Sequence, residues 1–113
     1  MQTDEIYLAN FPFGDSPGMK LRPVLLLTGP VGGVPEVLVA YISSVMPGAL
    51  LPSDILLDPA IPEHAATGLK TKSVLRLHKL ATIHVRKVVR RLGSLSTAAA
   101  SDVDDKLRNL LAL

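Results

Sequence analysis

Lys20-Leu21-Arg22-Pro23-Val24-Leu25-Leu26-Leu27 sets a permanently charged guanidinium one proline ahead of a four-residue apolar run. That run must be buried, and Val24–Thr28 reads as a β-strand. Proline fixes its own φ and restricts the preceding residue to extended geometry, so the backbone of Arg22 is preset at the mouth of that strand. A guanidinium held this way presents a rigid fork of donors to an anion. On this segment alone an arginine that closes a barrel end against a carboxylate remains the competing reading.

Working outward, Ile6–Phe11 mixes apolar and polar residues as a first strand, and Pro12 closes it. Gly14-Asp15-Ser16-Pro17-Gly18 is turn chemistry that lands directly on Lys20 and Arg22, so the loop Gly14–Met19 is expected to overhang whatever Arg22 binds. Gly29–Pro35 is a second turn, Val37–Ser43 a third strand ending in polar Ser43-Ser44, and Leu51–Asp58 a fourth. From Ser73 to His78, Val74, Leu75 and Leu77 alternate with Arg76 and His78, and strict period two puts Arg76 and His78 on one face. Val85–Leu92 is ambiguous, with β-branched Val88-Val89 arguing for a short strand after a turn at His84.

The C-terminus is helical in pattern. Ser96 is a candidate N-cap, Ala100, Val103, Leu107, Leu110 and Leu111 recur at helical spacing, and Asp102, Asp104 and Asp105 precede basic Lys106 and Arg108. Five or more short strands followed by one helix predict a mainly β fold, a small, partly open barrel with a C-terminal α-helix.

A chain of 113 residues is the size of one domain, so residues 1–113 are read as a single unit. Hydrophobic content of 48% without a segment long enough to cross a bilayer implies a covered apolar surface, hence a homodimer, which sedimentation of dilute protein would refute by showing only monomer. The absence of cysteine excludes disulfides, a thiolate nucleophile and Cys-ligated metal, and no signal-peptide pattern opens the chain, so a cytoplasmic location is expected. Net charge is only +2, yet Lys70, Lys72, Arg76, Lys79, Arg86, Lys87, Arg90 and Arg91 fall in a block without any Asp or Glu from His64 to Ser101. Such a field favours a polyanion, either nucleic acid or an acidic polypeptide.

Lys20/Arg22, Ser43/Ser44 and Arg76/His78 together supply cations, hydroxyls and an imidazole. These suit cleavage of RNA by its own 2′-hydroxyl. That reaction needs a base, an acid for the leaving 5′-oxygen and cations for the charge on five-coordinate phosphorus, and it requires neither metal nor other cofactor. Ordinary alternatives exist: solvated charge for Arg76 and Lys79, turn chemistry for Ser43-Ser44, surface positions for His64 and His84. Phe11 and Phe13 are candidates for stacking on bases, although with four aromatic residues in the chain, two Phe and two Tyr, the core should claim at least one.

Four segments in order resemble the MazF/PemK toxins of type II toxin–antitoxin systems: Glu5–Phe13, Lys20–Pro23 with Val39–Ser44, Ser73–Ile83, and Leu92–Ser96. The resemblance covers almost the whole chain. It implies an SH3-like barrel of the CcdB/MazF type, a homodimer, and metal-independent endoribonuclease activity on short sequences in single-stranded RNA, leaving a 2′,3′-cyclic phosphate. It also implies a cognate acidic antitoxin that covers the RNA groove. By position, Arg22 resembles the family's catalytic arginine, Ser43 stands where a threonine usually helps hold the phosphate, and Arg76 matches a basic residue proposed as acid or charge stabiliser. His78 departs from the usual Asp proposed as base; an imidazole is a competent base near neutrality, so His78 is expected to serve as base or to share that role with Arg22. Lys20, Ser44, Lys79 and Phe13 are expected to contact RNA. Asp4-Glu5 replaces the usual Gly-Asp, which questions the first turn more than the chemistry. Two rivals are a non-catalytic module on the same barrel and a CcdB-like poison of a protein target, the latter disfavoured by the Arg-Pro and Ser pair.

Overall fold

The apolar run that follows Pro23 is continuous because its strand is covered on both faces. In the computed structural model, which describes residues 1–12 and 20–113 without the side chain of Lys20, this strand is β2. The order is β1 (Glu5–Phe11), β2 (Lys20–Leu26), β3 (Glu36–Ser43), β4 (Asp54–Leu57), a 3₁₀ turn (Pro62–Thr67), β5 (Ser73–His84), a second 3₁₀ turn (Val85–Lys87), β6 (Val88–Ser94) and α1 (Thr97–Leu111). The six strands form one antiparallel sheet ordered β4-β5-β3-β2-β1-β6. The mainly β architecture with a C-terminal helix is thus as the sequence implies. No helix among the described residues is long and apolar enough to cross a membrane.

Alternation along the strands divides the core in two. Leu25 joins Ile6, Ala40, Ile42, Leu75 and Leu77 beneath Ala99 and Val103 of α1, whereas Val24 and Leu26 join Ala9, Phe11, Val37, Val39 and Ile83 on the other face. Side chains of this size stabilise by roughly 1.5–3 kcal/mol each when fully buried. The helix is started by Ser96, whose Oγ accepts from the Ala99 amide at 3.1 Å. Of its expected apolar stripe, Val103 is buried and Ala100 and Leu107 pack against the core, while Leu110 and Leu111 are exposed.

Three boundaries differ from the sequence reading. β2 begins at Lys20, so Arg22 lies inside a strand, opposite Ala9, instead of at its mouth. Residues 20–23 pair with β1 alone, and β3 joins only from Val24 opposite Tyr41, so Pro23 sits where one side of the strand needs no ladder donor. β4 is shortened to Asp54–Leu57 because Asp54 closes a turn: its amide donates to the Leu51 carbonyl at 3.0 Å and its Oδ2 accepts from the Leu51 amide at 2.8 Å. β5 runs on to His84 through a bulge, since Tyr41 faces Arg76 and Ala40 faces Leu80, leaving Leu77, His78 and Lys79 with no partner on β3. The ambiguous Val85–Leu92 segment resolves into a 3₁₀ turn and β6, the turn being opened by His84 Nδ1 accepting from the Arg86 amide at 3.0 Å.

The first turn carries the Asp4-Glu5 departure. Asp4 has a left-handed φ of 71°, and its backbone ties β1 to both neighbours: its amide donates to the Leu26 carbonyl and its carbonyl accepts from the Leu95 amide, each at 3.0 Å. Asp tolerates this conformation better than most residues but still at a cost, and burial followed by repulsion from Asp104 raises its carboxyl pKa above the usual range. Asp4→Gly is expected to stabilise the fold by about 1 kcal/mol, the relief of strain outweighing the roughly 0.5–1 kcal/mol entropic cost of glycine. Because the folded pKa is raised, wild type regains its part of the carboxylate penalty as pH falls through that value, so the advantage of the variant shrinks in acid.

Glu5 behaves oppositely. Its Oε2 accepts from Arg91 Nε at 2.6 Å, and this hydrogen bond is the main cause lowering its pKa. A depressed folded pKa contributes stability above the ordinary glutamate range and loses it as pH falls through the folded value. Urea titrations at neutral pH and in acid should therefore show Glu5→Gln less stable than wild type only in the former; an equal gap in both would refute the pairing.

Candidate functional site

Where residues 20–23 of β2 lack a β3 neighbour, the sheet opens into a cavity of about 260 Å³. Leu8 lines it from β1, Arg22 and Pro23 from β2, Tyr41, Ile42 and Ser43 from β3, and Arg90 and Leu92 from β6. Ser44 and Val45 continue from the end of β3, the connection into β5 adds Gly68, Lys70 and Thr71, and β5 itself adds Ser73. Its cations are Arg22, Lys70 and Arg90; its hydroxyls come from Tyr41, Ser43, Ser44, Thr71 and Ser73. Among the described residues no carboxylate or imidazole lines it.

The fold pairs Arg76 and Arg91 with carboxylates and leaves the three cavity cations without one among the described residues. Arg91 binds Glu5, Arg76 Nε faces Asp54 Oδ1 at 3.0 Å, off the axis of a hydrogen bond, and Lys106 Nζ donates to the carbonyls of Pro52 and Asp54 at 3.1 and 3.3 Å. Lys79 Nζ lies 5.6 Å from the centre of the Tyr41 ring, which stacks on Phe11 at 5.1 Å. None of Arg22, Lys70 or Arg90 has a carboxylate within ion-pair distance among the described residues. A cavity walled by three unneutralised cations holds a positive potential that favours an anion.

Ser43 is positioned by turn chemistry as well as by the strand. Its Oγ accepts from the Val45 amide at 3.1 Å and donates to the Val45 carbonyl at 3.4 Å, which fixes the hydroxyl at the rim and leaves an acceptor lone pair free. Ser73 Oγ, on the neighbouring strand beside the Ser43–Val74 pair, donates to the Thr71 carbonyl at 2.9 Å.

Of the four residues expected to share one pocket, Arg22 and Ser43 do so, joined by Ser44, and Arg76 and His78 do not. Arg76 stands one strand beyond the rim, opposite Tyr41 on one side and Asp54 on the other. His78 lines a second cavity, about 340 Å³, with Leu51, Pro52, Ser53, Lys106, Asn109 and Leu110. For His78 the β5 bulge is the reason: three residues without a β3 partner break the period of two, so Lys79 and not His78 reaches the Tyr41 ring. Phe11 is 2% exposed and belongs to the core, whereas Phe13 and the side chain of Lys20, like the loop Gly14–Met19, lie outside the described residues. Tyr41, Lys70, Thr71, Ser73 and Arg90 were not singled out as site residues from sequence. Lys70 and Arg90 did stand in the acid-free basic block, the one signal that pointed toward them.

A family model described as PemK-like, MazF-like toxin of type II toxin–antitoxin system matches residues 2–111. Among solved structures, the Mycobacterium tuberculosis toxin MazF-mt6 is 27% identical, with 96% of this chain and 97% of that chain covered at a TM-score of 0.74. MazF from Deinococcus radiodurans shares the fold at 19% identity, with 100% of this chain and 97% of that chain covered and a TM-score of 0.70. An endoribonuclease solved with its cognate antitoxin from a mycobacterial species does so at 13% identity, covering 100% and 96%, with a TM-score of 0.71. No curated protein matches in a sequence search. With its six-stranded sheet, its Arg-Pro strand and a family match over residues 2–111, the chain belongs to the PemK-like, MazF-like toxins of type II toxin–antitoxin systems.

Proposed function

We propose that this toxin cuts single-stranded RNA in the Arg22–Ser43 cavity, by attack of a 2′-oxygen on the adjacent phosphorus and departure of the 5′-oxygen, without a metal ion. The observation that carries this reading is a guanidinium with no carboxylate within ion-pair distance among the described residues and an anchored hydroxyl, both lining one cavity whose described walls hold no negative charge. In the five-coordinate transition state the phosphoryl oxygens gain charge, and Arg22 is proposed to grip them through its fork of donors. Ser43 and Ser44 are proposed to hold the same phosphate by hydrogen bonds.

His78 opens to the other cavity, beside Lys106, so cleavage is proposed to depend on Arg22 more than on His78. His78→Ala should reduce cleavage by far less than the roughly 10²–10⁴-fold that loss of a general base costs. Arg76 is proposed to brace β4 against β5 through Asp54. Lys79, lying over Tyr41 at the rim, is proposed as an RNA backbone contact. A homodimer is proposed on the exposed Leu50, Leu51, Leu110 and Leu111. The relatives solved with antitoxins support an acidic antitoxin as the partner of the cationic cavity.

A second reading, an RNA- or antitoxin-binding module without activity, is favoured by the lack of a carboxylate or imidazole in the described lining. Incubation with long single-stranded RNA in EDTA separates the two. Cutting with 2′,3′-cyclic phosphate ends supports the enzyme, and binding without cutting supports the module.

A further inference from the structure

His78 stands on a face that the cleavage reading leaves unused. It is exposed and lines the second cavity, about 340 Å³, between the β3–β4 connection and the last turns of α1. The surface around that cavity is apolar: Leu50 is 50% exposed, Leu51 41%, Leu110 39% and Leu111 51%. The apolar stripe of α1 outruns the core, since Val103 is buried and Leu107 packs against the core while Leu110 and Leu111 stand beyond it. Projecting leucines beside a hollow make a self-complementary patch, which suits a two-fold axis because each copy offers the other both a knob and a hole. An acidic peptide fits this face less well. The one ammonium in the described lining, Lys106 Nζ, is already held by the carbonyls of Pro52 and Asp54 at 3.1 and 3.3 Å.

A second copy on this face would enclose His78 beside a cation that is tied in place. Lys106 is the only charged side chain in the described lining. The other charges on the elements around it are turned elsewhere or lie outside the lining. On β5, Arg76 faces Asp54 and Lys79 lies over Tyr41; the Asp54 carboxylate is buried, taking the Leu51 amide and facing Arg76. On α1, Asp102 and Asp105, one turn before Lys106 and Asn109, do not line the cavity, and neither does Arg108. An uncharged imidazole has a hydroxyl at Ser53 and an amide at Asn109 in the same lining, whereas an imidazolium meets a like charge and no carboxylate. Away from water that repulsion grows, and two-fold symmetry counts it twice. We infer that His78 makes the homodimer proton-sensitive: two copies associate with both rings uncharged, and protonation of His78 drives them apart. This inference rests on the homodimer reading. Because the dimer binds fewer protons than two separate copies, association is strongest above the imidazole range and is lost as pH falls through it.

The test is the dimer dissociation constant of the whole chain, from sedimentation over a concentration series in neutral and in mildly acidic buffer. With a reference imidazole pKa of about 6.5 and two rings per dimer, Kd should rise by about fivefold to a hundredfold between about pH 7.5 and about pH 5.5. His78→Gln and His78→Asn keep a polar side chain that does not titrate, so both should dimerise at neutral pH and lack that rise. His64, His84 and every carboxylate remain in these variants, which isolates the contribution of His78. Leu110→Glu, a charge set into the same face, should be monomeric in both buffers. A wild-type Kd that rises by less than about fivefold would overturn the inference and leave the homodimer standing. So would a rise as large in the Gln and Asn proteins as in wild type, or loss of the dimer in both at neutral pH. A dimer that survives Leu110→Glu would move the contact off this face and overturn the inference together with the surface assigned to the dimer. Wild-type protein that is monomeric in both buffers would overturn the homodimer reading itself.

Discussion

Gly93→Ala is expected to destabilise the fold by about 3–5 kcal/mol, enough to consume much of the 5–15 kcal/mol that holds a domain of this size together. A methyl group on Gly93 would stand 2.5 Å from the carbonyl carbon of Thr67 and 2.7 Å from its oxygen, and nearer still to the Ala66 carbonyl oxygen. These are backbone atoms, so no side chain can swing aside. Gly68 completes the clasp from the other direction, since a methyl there would meet the Leu92 carbonyl, and its φ of 72° adds the left-handed penalty of about 1–2 kcal/mol for any other residue. The 3₁₀ turn Pro62–Thr67 can therefore lie against β6 only because both contact positions lack a Cβ. Either substitution forces the turn off the strand, so the double variant should cost less than the sum of the two. Urea unfolding of both singles and the double checks this; a Gly93→Ala protein with a wild-type midpoint would contradict the packing described. Gly68 also lines the Arg22 cavity, so surviving Gly68 variants should lose RNA affinity along with stability.

Arg22→Ala should lower the rate of RNA cleavage by about 10²–10³-fold, the usual cost of removing one preorganised donor from a transition-state oxyanion. The loss should fall mainly on kcat, because the charge that Arg22 meets grows during the reaction. Arg22→Lys keeps the charge and loses the two parallel donors, and should recover only part of the rate. Arg22 is half-buried and has no salt bridge to lose among the described residues, so its removal should shift the unfolding midpoint little. Equal kcat in Arg22→Ala and wild type would remove the cavity from the chemistry.

What could be read from the sequence was local. The Val24–Leu27 run, the Ser96 cap and the helical spacing of α1 each specify their element through neighbours a few residues away; the cap and the helix stand where the spacing puts them, and the strand starts earlier, at Lys20, and ends at Leu26. The pairing of Arg22 with Ser43 in one cavity was legible through their positions at a strand bearing Pro23 and at a strand end. What was not legible depends on contacts distant in sequence. The β5 bulge arises from pairing with β3 and turns His78 away from the face its alternation implied, while Arg76, one strand beyond the rim, is held beside Asp54. Lys70 and Arg90 gain their place only once the clasp between Gly68 and β6 brings their segments together. Asp54, read only as part of a strand, takes the charge of Arg76 that had been assigned to a phosphate.

The claim that the Arg22–Ser43 cavity is where RNA binds is tested most directly by titrating the ¹⁵N-labelled protein with an uncleavable all-2′-deoxy strand and following backbone amides. Perturbations should concentrate on Arg22, Ser43, Ser44, Lys70, Thr71 and Arg90. Perturbations concentrated instead on Ser53, His78, Lys106 and Asn109, with the Arg22 cavity unchanged, would contradict the account.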